Sequence, residues 1–409
     1  MLYNLGIHIL SFILKILAFF NLKIKKGVEG RRQTFKLLKK NLSPNDKTIW
    51  FHCASLGEYE QGLPVFESIR TNYPSYKIVL TFFSPSGYEI RKNTPIADIV
   101  TYLPLDTKLN AKQFLNIVNP EFTVFVKYDI WPNILYELKR RDERAILISA
   151  LFRKKHSYFK WYGNHLRKAL QVFEHIFVQD ENSKKLLQNI SITNVTISGD
   201  TRYDRVSNQL IQNNDLSFIS EFKGDSLCVV IGSSWPEDES ILIDYINKTA
   251  SKHLKFIIAP HNINKVQIDN ITKKLELDYV LFSEKNRKEV IGYSVFIIDT
   301  IGLLSKIYSY ADIAYVGGAM GTTGLHNILE PAVFGIPIII GNNYDKFPEA
   351  KTMIKNGGVL TVSSKNTLKN GLDNLINSSE KRLKVGTLNE NFIKKNKGAV
   401  NQIMDYIRI

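Results

Sequence analysis

Short runs of Val, Ile, Leu and Phe, each bounded by polar or small residues, alternate along the chain with longer stretches of helical periodicity. In the first half the runs predicted as strands are Thr48–His52, Lys77–Phe83, Phe122–Val126, Ala145–Ser149, His175–Val178 and Val195–Ile197. In the second they are Leu227–Ile231, Lys255–Ile258, Val295–Ile298, Ile313–Val316 and Pro337–Ile340. Each run is continuously apolar, as a strand covered on both faces must be, so the pattern predicts an α/β chain with parallel sheets. A polar stretch near residues 200–225 carries no strand and divides the chain into two doubly wound domains, 23–205 and 206–409, expected to face one another across a cleft. The last helix of the second is able to pack back on the first.

Ahead of these domains stands MLYNLGIHILSFILKILAFFNL, residues 1–22, predicted as a membrane-anchor helix. Its polar residues Asn4, His8, Ser11 and Lys15 fall at i, i+4, i+7 and i+11, a single narrow stripe, and a cluster of Lys and Arg follows. A wide apolar face with a basic flank suits a helix in or across a membrane interface with anionic headgroups. If it spans, the basic flank places all that follows in the cytoplasm. The uncharged start and the lack of a small-residue cleavage site disfavour a cleaved signal peptide. The alternative is a helix packed into the protein's own core.

Composition narrows the class. The chain has 409 residues, 44% hydrophobic and 11% aromatic, which excludes disorder, collagen and coiled coil. The formal charge of +15 is not spread evenly. Residues 1–45 carry a net +8 and residues 139–170 another +8, which leaves the remainder at about −1. Two basic patches on a near-neutral protein do not describe a nucleic-acid coat, and no nucleic-acid partner is expected. Cys53 and Cys228 each lie in an apolar run and are expected as buried thiols in a reducing compartment.

In doubly wound sheets ligands sit beyond the carboxyl ends of the strands, so candidate chemistry is sought there. After the first strand comes CASLGEYEQGLP with Glu58 at the start of a helix, a candidate general base, or else a first-turn Glu that complements the helix dipole. Lys127-Tyr128-Asp129-Ile130-Trp131-Pro132-Asn133 follows another strand. In the second half Gly232-Ser233-Ser234-Trp235 precedes an acidic first helical turn. Pro260-His261 and Asp299-Thr300-Ile301-Gly302 end two further strands. Gly317 to Pro331 supplies four glycines ahead of a helix whose positive end is expected to meet a phosphate. Its spacing is neither a dinucleotide fingerprint nor a Walker loop. His326 reads as a core or capping residue or a ligand contact, and Glu330 as a buried helix residue or a partner for ribose hydroxyls. No His, Asp or Cys cluster has metal-ligand spacing, so no resident metal or other cofactor is expected.

GGAMGTTGLHNILEPAVFGIPIIIG with FPEA at 347–350 resembles the pattern GGS…GGHN-x-LEPA…NF-x-E of the 3-deoxy-D-manno-octulosonic acid (Kdo) transferases of lipid A biosynthesis. The resemblance extends to GRR at 30–32, FHCASLGE at 51–58, D-I-WPN at 129–133, SALFRKKHSYFKWYG at 149–163, GDTRYD at 199–204, GSSWPEDE at 232–239 and DTIGLLSKIYSYAD at 299–312. It implies a GT-B glycosyltransferase with two Rossmann-like domains, the first binding acceptor and the second the CMP-sugar. The implied reaction moves Kdo from CMP-Kdo to a lipid A precursor, lipid IVA, with inversion, at the cytoplasmic side of the inner membrane. By the same resemblance Glu58 is the catalytic base, and Asp129 and Arg202 stabilise the transition state. Pro260, His261, Ile301, Gly302, Leu303, Asn327, Ile328, Leu329 and Glu330 are implied to hold the CMP moiety.

The chain departs from the family where Lys127 replaces a frequent Glu, where Pro260-His261-Asn262 lacks the Arg of Pro-Arg-His, and where Leu325 replaces a glycine. Lys265 is the candidate substitute for that Arg. The second basic patch, with Arg153, Lys154 and Lys155, reads as a contact for a phosphorylated glycolipid or the anionic membrane, or as a solvated face. Two alternatives stay open: another membrane-bound GT-B transferase using a UDP-sugar, and a non-catalytic basic membrane-binding module.

Overall fold

The computed structural model describes residues 2–409. It divides between Arg205 and Val206 into two compact units, and Lys397–Ile409 belongs to the first. That unit is built on seven parallel strands: β1 Thr48–Cys53, β2 Lys77–Phe82, β3 Ile99–Tyr102, β4 Pro120–Val126, β5 Arg144–Ala150, β6 His175–Val178 and β7 Val195–Ile197. Their spatial order is β3-β2-β1-β4-β5-β6-β7. Side chains alternate between the faces as a strand demands. Ile49, Phe51 and Cys53 of β1 join one apolar cluster, and Trp50 joins the other with Phe125 and Leu147. The helix Ala399–Tyr406 covers the first of these faces with Val400 and Ile403, and its start is held by Asp204, whose carboxylate accepts from the Gly398 and Ala399 N–H groups.

The second unit repeats the plan with β8 Leu227–Ser234, β9 Leu254–Pro260, β10 Tyr279–Leu281, β11 Val295–Ile297, β12 Ile313–Val316, β13 Ile338–Gly341 and β14 Val359–Val362. The order is β10-β11-β9-β8-β12-β13-β14, again all parallel. In each sheet the first strand is interior, and the direction of winding reverses beside it, between β1 and β4 and between β8 and β12. At such a switch point the loops leave in opposite directions and open a crevice at the strand ends. Three strands have no counterpart among the sequence-predicted runs: β3, β10 and β14. All three are sheet edges of three or four residues, too short for a periodic signal.

The N-terminal segment differs from the single predicted anchor helix of 1–22. Helix α1 covers Leu2–Leu17, the chain turns over 18–20, and α2 runs from Leu22 to Asn41. The 16 residues of α1 reach only about 24 Å, against the roughly 30 Å of a bilayer core. Among the described residues no helix is long and apolar enough to cross a membrane. The polar residues of α1 are partly turned to the protein: Asn133 donates to Asn4 at 2.8 Å, and the neighbouring Tyr3 hydroxyl donates to Asp106 at 2.7 Å. Leu5, Ile9, Phe12, Ile13 and Ile16 are left on the surface, and Phe19 and Phe20 beyond them are 86% and 85% exposed.

Candidate active site

The turn from β1 into α3 (Leu56–Asn72) places Ser55 at the N-cap with extended backbone and Glu58 three residues later. That spacing is the one in which the Ser side chain ordinarily caps the backbone and the Glu reaches back. Here the Ser55 hydroxyl donates to Glu58 Oε2 instead, and Ser55 makes no side-chain cap. Glu58 Oε1 faces Lys127 Nζ at 3.6 Å. Lys127 stands at the end of β4 with φ +73°, a left-handed conformation costly for any residue with a Cβ, while its N–H still reaches Ile148 O at 2.8 Å. Ser149 at the end of β5 and Ser233 near the end of β8 share this conformation at φ +50° and +54°. Backbone strain at three strand ends is the kind of feature that collects at functional loops.

Asp129 Oδ2 accepts from Trp131 Nε1 at 2.9 Å and lies 2.6 Å from Nε2 of the fully buried His52. Nothing in the sequence singled His52 out, because its partner lies 77 residues away. Cys53 follows it, a buried free thiol pushed well up, chiefly by desolvation and further by Glu58, Asp129 and Glu60. Arg202 opens a short helix after β7 and forks onto its own neighbour: Nε donates to Asp200 Oδ2 at 2.8 Å, and the backbone N–H to Oδ1 at 2.9 Å. The preceding Thr201 hydroxyl donates to the Gln61 carbonyl one turn along α3 from Glu58, and lies 2.7 Å from Ser149 Oγ. The three residues expected to be catalytic thus sit after the ends of β1, β4 and β7, with Arg202 tied through its neighbour to the helix that carries Glu58.

In the second unit β8 passes through Gly232 to Trp235, the N-cap of the helix Pro236–Thr249. A Cβ on Gly232 would lie 1.9 Å from the Tyr308 hydroxyl, so only glycine lets the turn after Leu303 pack here. Asp238 gathers the switch point: its carboxylate accepts from the Trp235 and Gly318 N–H groups at 2.9 and 2.8 Å and from the Tyr315 hydroxyl at 2.8 Å. Burial raises its pKa, and those hydrogen bonds oppose the rise. Trp235 stacks on His261 at 4.4 Å and 19°, and its Nε1 donates to His326 Nε2 at 3.1 Å. The His261 and His326 rings are 4.6 Å apart. Desolvation, and then His261, lowers the His326 pKa to about 4, so the ring is neutral with its proton on Nδ1. Trp235 and His326 were not among the residues expected to hold CMP, yet they form one aromatic group with His261, which was.

Two expectations for the glycine loop need correction. The helix after it, Leu329–Ala332, is a single turn, too short to sum an appreciable macrodipole, so a positive helix end at Asn327 is not what the loop offers. Several loop N–H groups also have partners within the protein: Gly317 on Gly232 O at 2.9 Å, Gly318 on Asp238, and His326 on Gly317 O at 3.1 Å. Asn327 folds onto its own turn, donating to Glu330 Oε1 at 3.1 Å and accepting from the Leu329 N–H at 3.2 Å, with Ile328 buried beneath. Pro260 is buried as the last residue of β9, whereas Ile301 is exposed and Gly302 stands at φ +88° before the half-buried Leu303. Lys265 is an exposed first residue of the helix Lys265–Thr272. Among the described residues no group of three or more His, Cys, Asp or Glu side chains is placed to hold a metal.

Residues 29–205 match the family model of the 3-deoxy-D-manno-octulosonic-acid transferases. The chain is 27% identical over 377 residues to the 3-deoxy-D-manno-octulosonic acid transferase of Haemophilus influenzae, an alignment covering 89% of this chain and 87% of that one. It is 24% identical to the transferase of the same name from Rickettsia bellii, over 98% of both chains. In fold it is similar to the UDP-GlcNAc 2-epimerase of Neisseria meningitidis, with a TM-score of 0.61 over 88% of this chain and 98% of that one at 15% identity. The chain, built of two GT-B-like parallel α/β units, is a glycosyltransferase similar in sequence over most of its length to the Kdo transferases.

Proposed function

We propose that the protein transfers Kdo from CMP-Kdo to a lipid A precursor, lipid IVA, inverting the anomeric centre in one displacement. The observation that carries this reading is the setting of Glu58, a carboxylate held at the end of the interior strand β1 by Ser55 and Lys127. An ionised carboxylate has about four lone-pair positions, and the two contacts leave others for an acceptor hydroxyl. Glu58 takes the hydroxyl proton as the oxygen bonds to the anomeric carbon, and CMP leaves with the electrons of the broken bond on its phosphate. Asp129 and Arg202 stabilise the developing charge, and Pro260, His261, Ile301 to Leu303 and Asn327 to Glu330 hold the CMP moiety. No resident metal is assigned a role.

The acceptor and the outer face of the first unit share a chemistry. The apolar side of α1, with Phe12 exposed, and the turn beyond it, with Phe19 and Phe20 exposed, enter the headgroup region of the inner membrane from the cytoplasmic side rather than crossing it. The Tyr3 ring lies 5.3 Å from His165, which sets α1 beside the second basic segment. In that segment Arg153, Lys154 and Lys155 are exposed, and so is Trp161, at 91%, an aromatic of the kind enriched at membrane interfaces. The test is incubation of the protein with labelled CMP-Kdo and lipid IVA in mixed micelles. Kdo-bearing lipid is the expected product. Transfer only from a UDP-sugar, or no transfer, would overturn the assignment.

A further inference from the structure

We propose that Lys127 is a positioning residue for Glu58, a role that rests on Glu58 being the base. The family resemblance supplies no such role, since the position is there a frequent Glu. Four observations carry it. The Lys127 ammonium lies 3.6 Å from Glu58 Oε1 while the Ser55 hydroxyl occupies Oε2, so the carboxylate is gripped from the β1 turn on one side and from the end of β4 on the other. The pair is sheltered, with the Lys127 side chain 25% exposed and that of Glu58 13%. By contrast the surface pair Lys25 and Glu29 is 4.0 Å apart with both side chains more than half exposed, where solvent and side-chain entropy cancel most of the attraction.

The Lys127 backbone is held at φ +73° by its bond to Ile148 O, so a strained strand end, not a flexible loop, presents the ammonium. The other charges near Glu58 compete weakly for it. Asp129 is engaged with His52 and Trp131, Glu60 with Arg91 and Arg205, and Cys53 is a neutral buried thiol. An acid at position 127 would set like charges against each other beside the base; lysine fixes one carboxylate oxygen and leaves the remaining lone pairs aimed at substrate. A base held within a fraction of an ångström of its reacting geometry is worth large factors in rate.

The experiment compares Lys127→Gln, Lys127→Met and Lys127→Arg with Glu58→Gln and with the double variant Lys127→Gln/Glu58→Gln, reading kcat, both KM values and the thermal midpoint of the full-length protein. Lys127→Gln and Lys127→Met are expected to lower kcat by about 10- to 100-fold with both KM values nearly unchanged. Lys127→Arg restores most of the rate. The double variant is no slower than Glu58→Gln alone, because residues that act as a unit are not additive. A normal kcat in both uncharged variants overturns the proposal. So does a loss that appears as a raised donor KM, which would place Lys127 on the sugar acid's own carboxylate, or one that multiplies with that of Glu58→Gln. If Glu58→Gln itself turns over normally, the base assignment fails; if it is inactive while Lys127→Gln is normal, only the role of Lys127 fails.

Discussion

His52, wholly buried on β1, holds Asp129 at 2.6 Å through Nε2, and its Nδ1 lies 2.8 Å from Thr81 Oγ1. Trp50 Nε1 donates to the same Thr81 oxygen at 2.8 Å. Trp131 Nε1 meets both Asp129 Oδ2 and His52 Nε2, at 2.9 and 3.1 Å, so a line of polar contacts through the core from Thr81 to His52 and Trp131 orients Asp129. His52→Ala is expected to lower kcat by about 10- to 100-fold, the value of a hydrogen bond to a charged group. It also lowers the thermal midpoint, since Thr81 and Asp129 each lose a partner. Steady-state kinetics and calorimetry on one preparation check both.

Glu58→Gln keeps the shape and the hydrogen bond from Ser55 but cannot take a proton. Turnover should fall by about 10²- to 10⁴-fold while CMP-Kdo still binds, since the residues assigned to the donor lie in the second unit. Isothermal titration beside the transfer assay separates the two. Unchanged turnover would overturn Glu58 as the base.

Phe12, Phe19 and Phe20 are 65%, 86% and 85% exposed, so replacing them with Ser removes no core contact. Each Phe that leaves water is worth about 1.5–3 kcal/mol, and the triple variant should lose flotation with vesicles containing phosphatidylglycerol while its unfolding midpoint stays put. Lys154→Gln with Lys155→Gln should weaken the same binding at low salt and have little effect at high salt, where screening already removes the attraction.

His326 has its pKa lowered to about 4 by burial and by His261. Between that value and the ordinary histidine range the unfolded chain binds a proton that the folded one refuses, so stability rises with pH there. The contribution is complete above the unfolded value and is lost as pH falls through about 4. Urea unfolding at pH 7 and pH 4.5 should show a smaller acid loss in His326→Gln than in the native protein, and the His326 ring protons should titrate near pH 4 by NMR.

Asp238 accepts from two backbone N–H groups and one tyrosine hydroxyl inside the second unit. Asp238→Ala strands these buried donors at about 1–3 kcal/mol each. Denaturation should show a loss of several kcal/mol confined to the second unit. Asp238→Asn, which keeps one acceptor oxygen, should recover part of it.

Strands in the sheet interiors were legible because they are buried on both faces and so are continuous apolar runs. The edge strands β3, β10 and β14 were not, although the equally short edge strand β7 was: at three or four residues no period marks a strand and edge packing tolerates polar neighbours. The site was legible only in part. Glu58 follows from a strand run into a helix start, and His261 from its place after β9. Lys127 and Glu58 are 69 residues apart, and Trp235 and His326 are 91 apart, separations that no local pattern marks.

The sequence by itself determined what is encoded over a few neighbouring residues. It set the alternation of strand and helix, the turn that presents Glu58, the concentration of charge into two segments, and the apolar N-terminal stretch. Tertiary structure decided what depends on residues meeting from afar. Sheet order put β1 beside β4 and β8 beside β12, and so brought Lys127 to Glu58, His52 to Asp129, and Asp238 to the glycine loop. It also engaged the N–H groups of Gly317 and Gly318 that composition alone would leave for a ligand, because a buried backbone donor takes the nearest acceptor the fold supplies.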